Sequence, residues 1–290
     1  MTMRISRMTA IAAAAVLSLG VAACGGDDGD DTGTGGTTAS GIIGKAQGQK
    51  KLVIGVKGDQ PGLGLQTGTT YEGFDIEIGK ILAKGLGVPE SGIEWKTTVS
   101  ANREPFIQQG TVDLVVATYT INDERKTKVN FGGPYYIAGQ DLLVPTDSTI
   151  TGPESLDGKK VCSVSGSTPA KRIQTEYPKA QLQQFDAYSK CVTALAGGQV
   201  DAVTTDDIIL AGYASQAEYA GKFKVVGKTF STEPYGIGLK KDDSDGCKKI
   251  NEILTAAAAD GSYKAAWDST LGKSGKAAPT LDTSKLTNCS

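Results

Sequence analysis

Two segments with similar openings constrain the fold of this chain more than any other feature of its sequence. In the first, the apolar run Val112–Ala117 has the composition of a buried strand, and it stops at Thr118 and Thr120. Asn122 follows as a candidate helix cap. The second segment, Gly198–Asp207, repeats the Gly-x-Val-Asp opening and the apolar run but ends in acidic residues. Each segment therefore predicts a buried strand that leads through polar groups into a helix.

Short apolar runs alternate with segments of helical spacing along most of the chain. The predicted strands cover residues 51–56, 93–95, 112–117, 160–164, 181–185, 200–204, 223–226 and 235–239. The predicted helices cover residues 74–86, 103–109, 189–196, 206–216, 244–259 and 262–271, and another helix begins within residues 165–169. This alternation indicates an α/β fold with mainly parallel sheets that are covered by helices.

The alternation restarts after residue 144, which predicts two lobes joined by two crossover strands. Lobe 1 is expected to contain residues 50–142 and 235–290, and lobe 2 residues 143–234. Ligands of open α/β sheets bind beyond the carboxyl ends of the strands. We therefore expect the strand ends at Thr118 and Thr205 to face each other across a cleft.

Composition excludes several classes of function. The 290 residues carry a formal net charge of −2, which offers no electrostatic surface for nucleic acid. The absence of histidine excludes Ser-His and Cys-His catalytic dyads and His-ligated metal sites. An enzyme that uses carboxylates or lysine alone is not excluded by composition.

The N-terminus has the features of an export signal. Residues 1–23 contain two arginines followed by the apolar stretch Met8–Val21, which is short for a membrane span. The sequence Val21-Ala22-Ala23-Cys24 resembles a bacterial lipobox, so we expect lipid on Cys24 and a location at the extracytoplasmic face of the cell membrane. The alternative is an ordinary secretory signal. Residues 24–49, rich in Gly, Asp and Thr, are interpreted as a flexible linker.

Four cysteines remain after Cys24, and an even number of cysteines in an exported protein usually forms disulfide bonds. Three pairings are possible. We favour Cys162–Cys191 and Cys247–Cys289, because each pair lies within one predicted lobe. A zinc site formed by cysteines alone is the alternative, but the chain has no Cys-x-x-Cys pair.

Several motifs in a fixed order carry a resemblance to a known family. They are Ile54–Gly62, Tyr71–Asp75, Ala117–Arg125, Phe131–Tyr136, Ser165–Pro169 and Val200–Asp207. In this order, and behind a lipobox, they resemble polar amino-acid-binding lipoproteins of ABC transporters (solute-binding protein family 3), and within them the actinobacterial glutamate-binding branch. The resemblance implies a two-lobed fold of the periplasmic-binding-protein type II.

Arg125 is the main candidate for holding a ligand carboxylate. It follows a strand end and begins a helix, where a guanidinium and free N–H groups suit an anion. The resemblance places the α-carboxylate-binding arginine at this position, with Thr118 and Thr120 as further donors. Ser167 and Thr168 are expected to approach the same carboxylate from lobe 2. The alternatives are a solvated arginine and simple helix capping.

Asp206 is the candidate partner for an α-ammonium group. The resemblance selects it through the Asp-Ala-Val-x-x-Asp pattern, which begins at Asp201. The neighbouring Asp207 competes for this role, and capping of the following helix is the alternative for Asp206. With Arg125 on the other lobe, the two predicted strand ends together suit a zwitterion.

Lys57 and Arg103 are the candidates for recognising the side chain of the ligand. The segment around Arg103 resembles the Asn-Arg-x-Pro of glutamate and aspartate binders, and two cations favour a carboxylate over an amide. Pairing with Asp59 or Glu104 is the alternative. Related proteins place aromatic rings where this chain has Gln60 and Ser100, so any apolar wall must come from elsewhere.

The resulting hypothesis is a monomeric, lipid-anchored receptor, with neither metal nor cofactor, that binds L-glutamate and delivers it to a membrane ABC permease. There are three alternatives. The ligand could be aspartate, glutamine or asparagine; the protein could be a sensor subunit for a membrane signalling partner; or it could be a dehydratase of small acids on the same fold.

Overall fold

The structure is a computed structural model, and it describes residues 40–274 and 277–289. The predicted signal peptide, Cys24 and the first part of the predicted linker lie outside the described residues. Within the described ranges, none of the helices combines the length and the apolar composition needed to cross a membrane.

The described α-helices are α1 (Gly41–Gln49), α2 (Phe74–Gly85), α3 (Arg103–Gln108), α4 (Asp123–Lys126), α5 (Thr168–Glu176), α6 (Tyr188–Ala196), α7 (Asp207–Ala214), α8 (Ser244–Asp260) and α9 (Ser262–Ser269). The described strands are β1 (Leu52–Val56), β2 (Asp59–Gln60), β3 (Gly64–Thr67), β4 (Thr70–Glu72), β5 (Ile93–Thr97), β6 (Leu114–Thr120), β7 (Asn130–Ala138), β8 (Gln140–Pro145), β9 (Lys160–Val164), β10 (Gln181–Phe185), β11 (Ala202–Asp206), β12 (Phe223–Val225) and β13 (Glu233–Leu239).

Lobe 1 is built on a mixed sheet with the strand order β5-β1-β6-β13-β7. The central strand β6 is buried along its whole length, and its side chains alternate between two apolar clusters. Leu114 and Val116 join the cluster that contains Phe74 of α2, whereas Val115 joins the cluster that contains Ile107 of α3. Helices therefore cover both faces, which explains why this strand is continuously apolar.

Lobe 2 repeats this plan with the strand order β10-β9-β11-β8-β12. The strand β11 is parallel to β9 and antiparallel to β8. Its Val203 contributes to the cluster with Leu195 of α6, and its Ala202 to the cluster with Ile173 of α5. Both strand ends that the sequence singled out, those of β6 and β11, thus lie in sheets packed on two faces.

The boundaries between the lobes differ from the predicted ones. The chain leaves the lobe 1 sheet at the end of β7 and enters the lobe 2 sheet in β8, so Gly139 marks the first crossing rather than residues 142–143. The second crossing precedes Glu233, which already pairs with Ala138 of β7. The strand β7 was not predicted, because Gly132, Gly133 and Pro134 resemble a loop. It lies at an edge of the sheet, where proline is tolerated.

The predicted flexible linker is wrong for residues 41–49, which form the helix α1. Ile42 and Ala46 are buried against lobe 1. The backbone N–H of Ile42 donates to the carboxylate of Asp243 at 2.8 Å, and Lys45 pairs with Asp113 at 2.7 Å. The glycine-rich composition of the whole segment concealed these few apolar residues, which lie on one face at a spacing of four.

Both favoured disulfides are present. Cys162 of β9 is joined to Cys191 of α6 in lobe 2, and Cys247 of α8 to Cys289 near the end of lobe 1. The Cα–Cα distance is 5.5 Å in each.

The double variant Cys247→Ser/Cys289→Ser is expected to lower the free energy of unfolding by about 4 kcal/mol, because the disulfide restricts a loop of 42 residues in the unfolded chain. Urea unfolding under oxidising conditions measures the loss. Ligand affinity should be unchanged, since this disulfide lies away from the cleft. An unfolding midpoint equal to that of the unmodified protein would contradict the prediction.

Candidate ligand-binding cleft

The carboxyl ends of β6 and β11 meet at a cleft between the lobes. The helices α3, α5, α6 and α7 begin at a residue that lines the cleft or directly follow one that does. The side chain of Asn122 caps the neighbouring α4 by accepting from the N–H of Arg125 at 2.9 Å. The cavity at these strand ends has a volume of about 10 Å³, close to the space of one water molecule. The lobes therefore contact each other closely here, and a larger ligand requires them to separate.

Six of the eight predicted ligand-binding residues line this cavity: Arg103, Thr118, Thr120, Ser167, Thr168 and Asp206. Arg125 and Lys57 do not line it, but each bonds to a residue that does. Residues that sequence reasoning did not assign to the ligand complete the wall: Ser100, Pro169, Tyr188, Thr205 and Ile209. Tyr188 and Ile209 supply the apolar surface for which the sequence offered no position, and both lie on helices of lobe 2.

Asp206 is buried at the end of β11, with 3% of its surface exposed. One carboxylate oxygen accepts from the hydroxyl of Tyr235 at 2.6 Å, and the other has no hydrogen-bond partner among the described residues. Its side chain makes no capping bond to α7. Burial, followed by the nearby charge of Glu233, raises the pKa of Asp206 to about 7. The oxygen without a partner is available to a hydrogen-bond donor of the ligand.

Lys57 is a buried cation on the lobe 1 side. Its Nζ donates to the hydroxyl of Ser100 at 2.8 Å, and no ion pair of Lys57 occurs within the described ranges. Burial, followed by the charge of Arg103, lowers the pKa of Lys57 to about 7. The alternative partner Asp59 instead accepts from the N–H of Ser189 at 3.1 Å.

Arg103 is a second buried cation in lobe 1. It donates to the carbonyl oxygens of Ser100 at 3.3 Å and Ala117 at 3.1 Å, and its guanidinium lies 4.3 Å from the centre of the Tyr119 ring. Burial, followed by the charge of Arg125, lowers the pKa of Arg103 to about 10. No ion pair of Arg103 is found in the described part of the chain. The alternative partner, Glu104, pairs with Arg125.

Arg125 joins the two lobes and is not a solvated residue, since only 6% of its surface is exposed. Its terminal nitrogens donate to the carbonyl oxygens of Thr120 in lobe 1, at 2.8 Å, and Gly166 in lobe 2, at 3.1 Å. Its Nε lies 3.3 Å from Glu104. Each terminal nitrogen of an arginine carries two N–H groups, so one on each remains for a ligand.

The donors of Thr118 serve the protein itself. Its φ angle is +45°, its N–H donates to Asp75 at 2.9 Å, and its hydroxyl donates to the carbonyl of Ala117 at 2.8 Å. Thr118 therefore has no free proton for the predicted hydrogen bond to a ligand carboxylate. Ser167 caps α5 by accepting from the N–H of Ala170 at 3.1 Å. Its hydroxyl lies 3.5 Å from that of Ser163, which donates its own proton to the carbonyl oxygen of Thr204, so Ser167 is the donor of this pair.

Other contacts hold the lobes together beside the cavity. Asp59 of β2 in lobe 1 accepts from the Tyr213 hydroxyl of α7 through its backbone oxygen and, at 3.2 Å, through its carboxylate. Two glycines of lobe 2 lie directly against lobe 1 backbone. A Cβ added to Gly212 would overlap the carbonyl oxygen of Pro61, and one added to Gly166 would lie 2.7 Å from Cα of Ala101.

Comparisons with known proteins agree with this architecture. A sequence profile of bacterial extracellular solute-binding proteins, family 3, matches residues 52–272. Glutamate-binding protein GluB of Corynebacterium efficiens is 41% identical and covers 92% of this chain and 92% of its own. GluB of Corynebacterium glutamicum is 45% identical, over 76% of this chain and 78% of its own. The ABC transporter glutamine-binding protein GlnH of Bacillus subtilis is 42% identical, over 73% and 78%.

Solved structures confirm the predicted two-lobed type II fold. An ancestral arginine-binding protein bound to glutamine superposes with a TM-score of 0.72 at 36% identity, over 77% of this chain and 99% of its own. The ancestral amino acid-binding protein AncCDT-1, a precursor of cyclohexadienyl dehydratase, gives a TM-score of 0.72 at 29% identity, over 80% and 99%. The matched family and its relatives are binding proteins, which supports binding over catalysis. By its profile match, its relatives and its fold, the chain belongs to the bacterial extracellular solute-binding proteins, family 3.

Proposed function

We propose that this chain is an extracellular receptor that binds L-glutamate, or a closely related polar amino acid, and delivers it to a membrane ABC permease. Lipid on Cys24 would hold the receptor at the membrane surface. One observation carries the proposal. Asp206 offers an unpaired buried carboxylate oxygen, whereas Lys57 and Arg103 are buried cations without an ion pair in the described part of the chain.

The α-amino and α-carboxylate groups of an amino acid match the two strand ends. The free oxygen of Asp206 would accept from the ammonium group, and the remaining N–H groups of Arg125 would hold the carboxylate. These contacts come from both lobes. A ligand held this way favours the arrangement in which the lobes are close, because only that arrangement supplies all of them.

The distal group of the ligand would meet Arg103 and Lys57. A buried cation that lacks an opposite charge destabilises the complex by several kcal/mol, so a carboxylate is favoured over an amide at this position. The GluB relatives are named for glutamate and GlnH for glutamine. Glutamine is therefore the competitor against which the specificity of this site has to be measured.

Calorimetric titration of the purified protein with the common amino acids tests this proposal. We expect glutamate to bind more tightly than glutamine, asparagine or aspartate, because two buried cations face its distal carboxylate and shorter aspartate reaches them less well. Tighter binding of glutamine than glutamate would contradict the roles of Lys57 and Arg103. The absence of binding for every amino acid would contradict the proposed function as a whole.

A further inference from the structure

We propose that Glu233 is a positioning residue that turns the hydroxyl of Thr168 into an acceptor for the ammonium group of the ligand. Glu233 lies at the start of β13, at the second crossing between the lobes. The inference rests on the proposed function, since it concerns how the same cleft recognises an amino acid.

Glu233 is held in place by donors on three sides. Only 1% of its surface is exposed. One carboxylate oxygen accepts from the Ser231 hydroxyl at 2.7 Å and from Arg172 at 3.2 Å, and the other accepts from the Thr168 hydroxyl at 2.8 Å. The pairing with Arg172 of α5 balances the charge of this buried carboxylate.

The proton of the Thr168 hydroxyl is committed by this arrangement. A carboxylate only accepts hydrogen bonds, and a hydroxyl has a single proton, so Thr168 must donate to Glu233. The Thr120 hydroxyl lies 3.4 Å from that of Thr168 and must then be the donor of this pair. Both threonine oxygens therefore turn lone pairs, and no protons, toward the cleft. The expected donation from these hydroxyls to a ligand carboxylate is replaced by acceptance from a cation.

The acceptors converge on the same cavity. Thr120 and Thr168 line it together with Asp206, whose second oxygen is unpartnered among the described residues. An ammonium group has three N–H donors, and these three residues supply three acceptors in the lining of one cavity. Glu233 does not line the cavity. Its role is to fix which way the Thr168 proton points, and thereby to favour ligands with an amino group.

A double-mutant cycle with L-glutamate tests whether Glu233 acts through Thr168. We expect Glu233→Gln and Thr168→Val each to raise the Kd about tenfold, because each removes the fixed acceptor. The double variant should bind about as weakly as Thr168→Val alone, since both changes affect one interaction. The exposed Glu154→Gln in lobe 2 is the matched control and should leave the Kd unchanged. Losses that add in the double variant would overturn the inference.

Glutarate, which is glutamate without its amino group, separates positioning from a general structural role. Glu233→Gln should weaken glutamate in a competition titration and leave glutarate unaffected, so that the preference for the amino group falls about tenfold. Equal weakening of both ligands would overturn the inference and leave the proposed function intact. If the unmodified protein binds no amino acid, the proposed function itself fails, which is a distinguishable result.

Discussion

Replacing Arg103 by glutamine should weaken the binding of glutamate by about 3 kcal/mol, or roughly 100-fold in Kd, because a buried charge facing the ligand carboxylate is lost. Glutamine carries no distal charge, so its affinity should fall far less. Paired calorimetric titrations with the two amino acids measure the difference. The preference for glutamate over glutamine should thus shrink or reverse.

Two controls make this result interpretable. Arg103 also contacts Tyr119 and backbone carbonyls, so the free energy of unfolding of the variant must be measured beside its affinities. Lys126→Gln removes one positive charge from an exposed side chain of lobe 1 and should not change the preference. If Arg103→Gln weakens the binding of glutamate and of glutamine equally, Arg103 stabilises the structure of the cleft and does not recognise the distal group of the ligand.

Replacing Gly212 by alanine should raise the Kd of every ligand by roughly 10- to 100-fold, which corresponds to about 1–3 kcal/mol of overpacking at the contact. The added Cβ meets the backbone oxygen of Pro61, which cannot move aside as a side chain would. The clash exists only while α7 is close to Pro61, which directly follows β2. The variant therefore disfavours the closed arrangement, and the apparent affinity falls with the fraction of closed molecules.

Stability and shape distinguish this effect from damage to the fold. Gly212 lies within α7, where alanine is favoured by about 1 kcal/mol, so the free energy of unfolding without ligand should not decrease. Small-angle scattering at a fixed glutamate concentration that nearly saturates the unmodified protein should give a larger radius of gyration for the variant, and the difference should vanish when the variant is saturated too. Gly48→Ala is the matched control, because Gly48 is also helical and has open space around it. If the affinity of Gly212→Ala is unchanged, the contact between Gly212 and Pro61 plays no part in the closure of the lobes.

Some parts of the site were predictable because they depend on local chemistry. The capping of α4 by Asn122 needs only residues adjacent in the chain, and it brings the N–H of Arg125 to the end of β6. The favoured cysteine pairs followed from the division into lobes. By contrast, Gly132 and Gly133 concealed the edge strand β7, and the glycine-rich composition of the predicted linker concealed α1. In both cases packing against lobe 1 outweighs a weak local preference.

The amino-acid sequence by itself determined the two α/β lobes and the strand ends that bear polar groups, because buried strands and helix caps leave regular patterns in a chain. Only the tertiary structure decided where the free donors and acceptors of the site lie. The proton of Thr168 points to Glu233, the donors of Thr118 point to Asp75 and Ala117, and one oxygen of Asp206 has no partner among the described residues. A hydrogen bond depends on distances between residues far apart in the chain, and these distances arise only when the lobes are packed together.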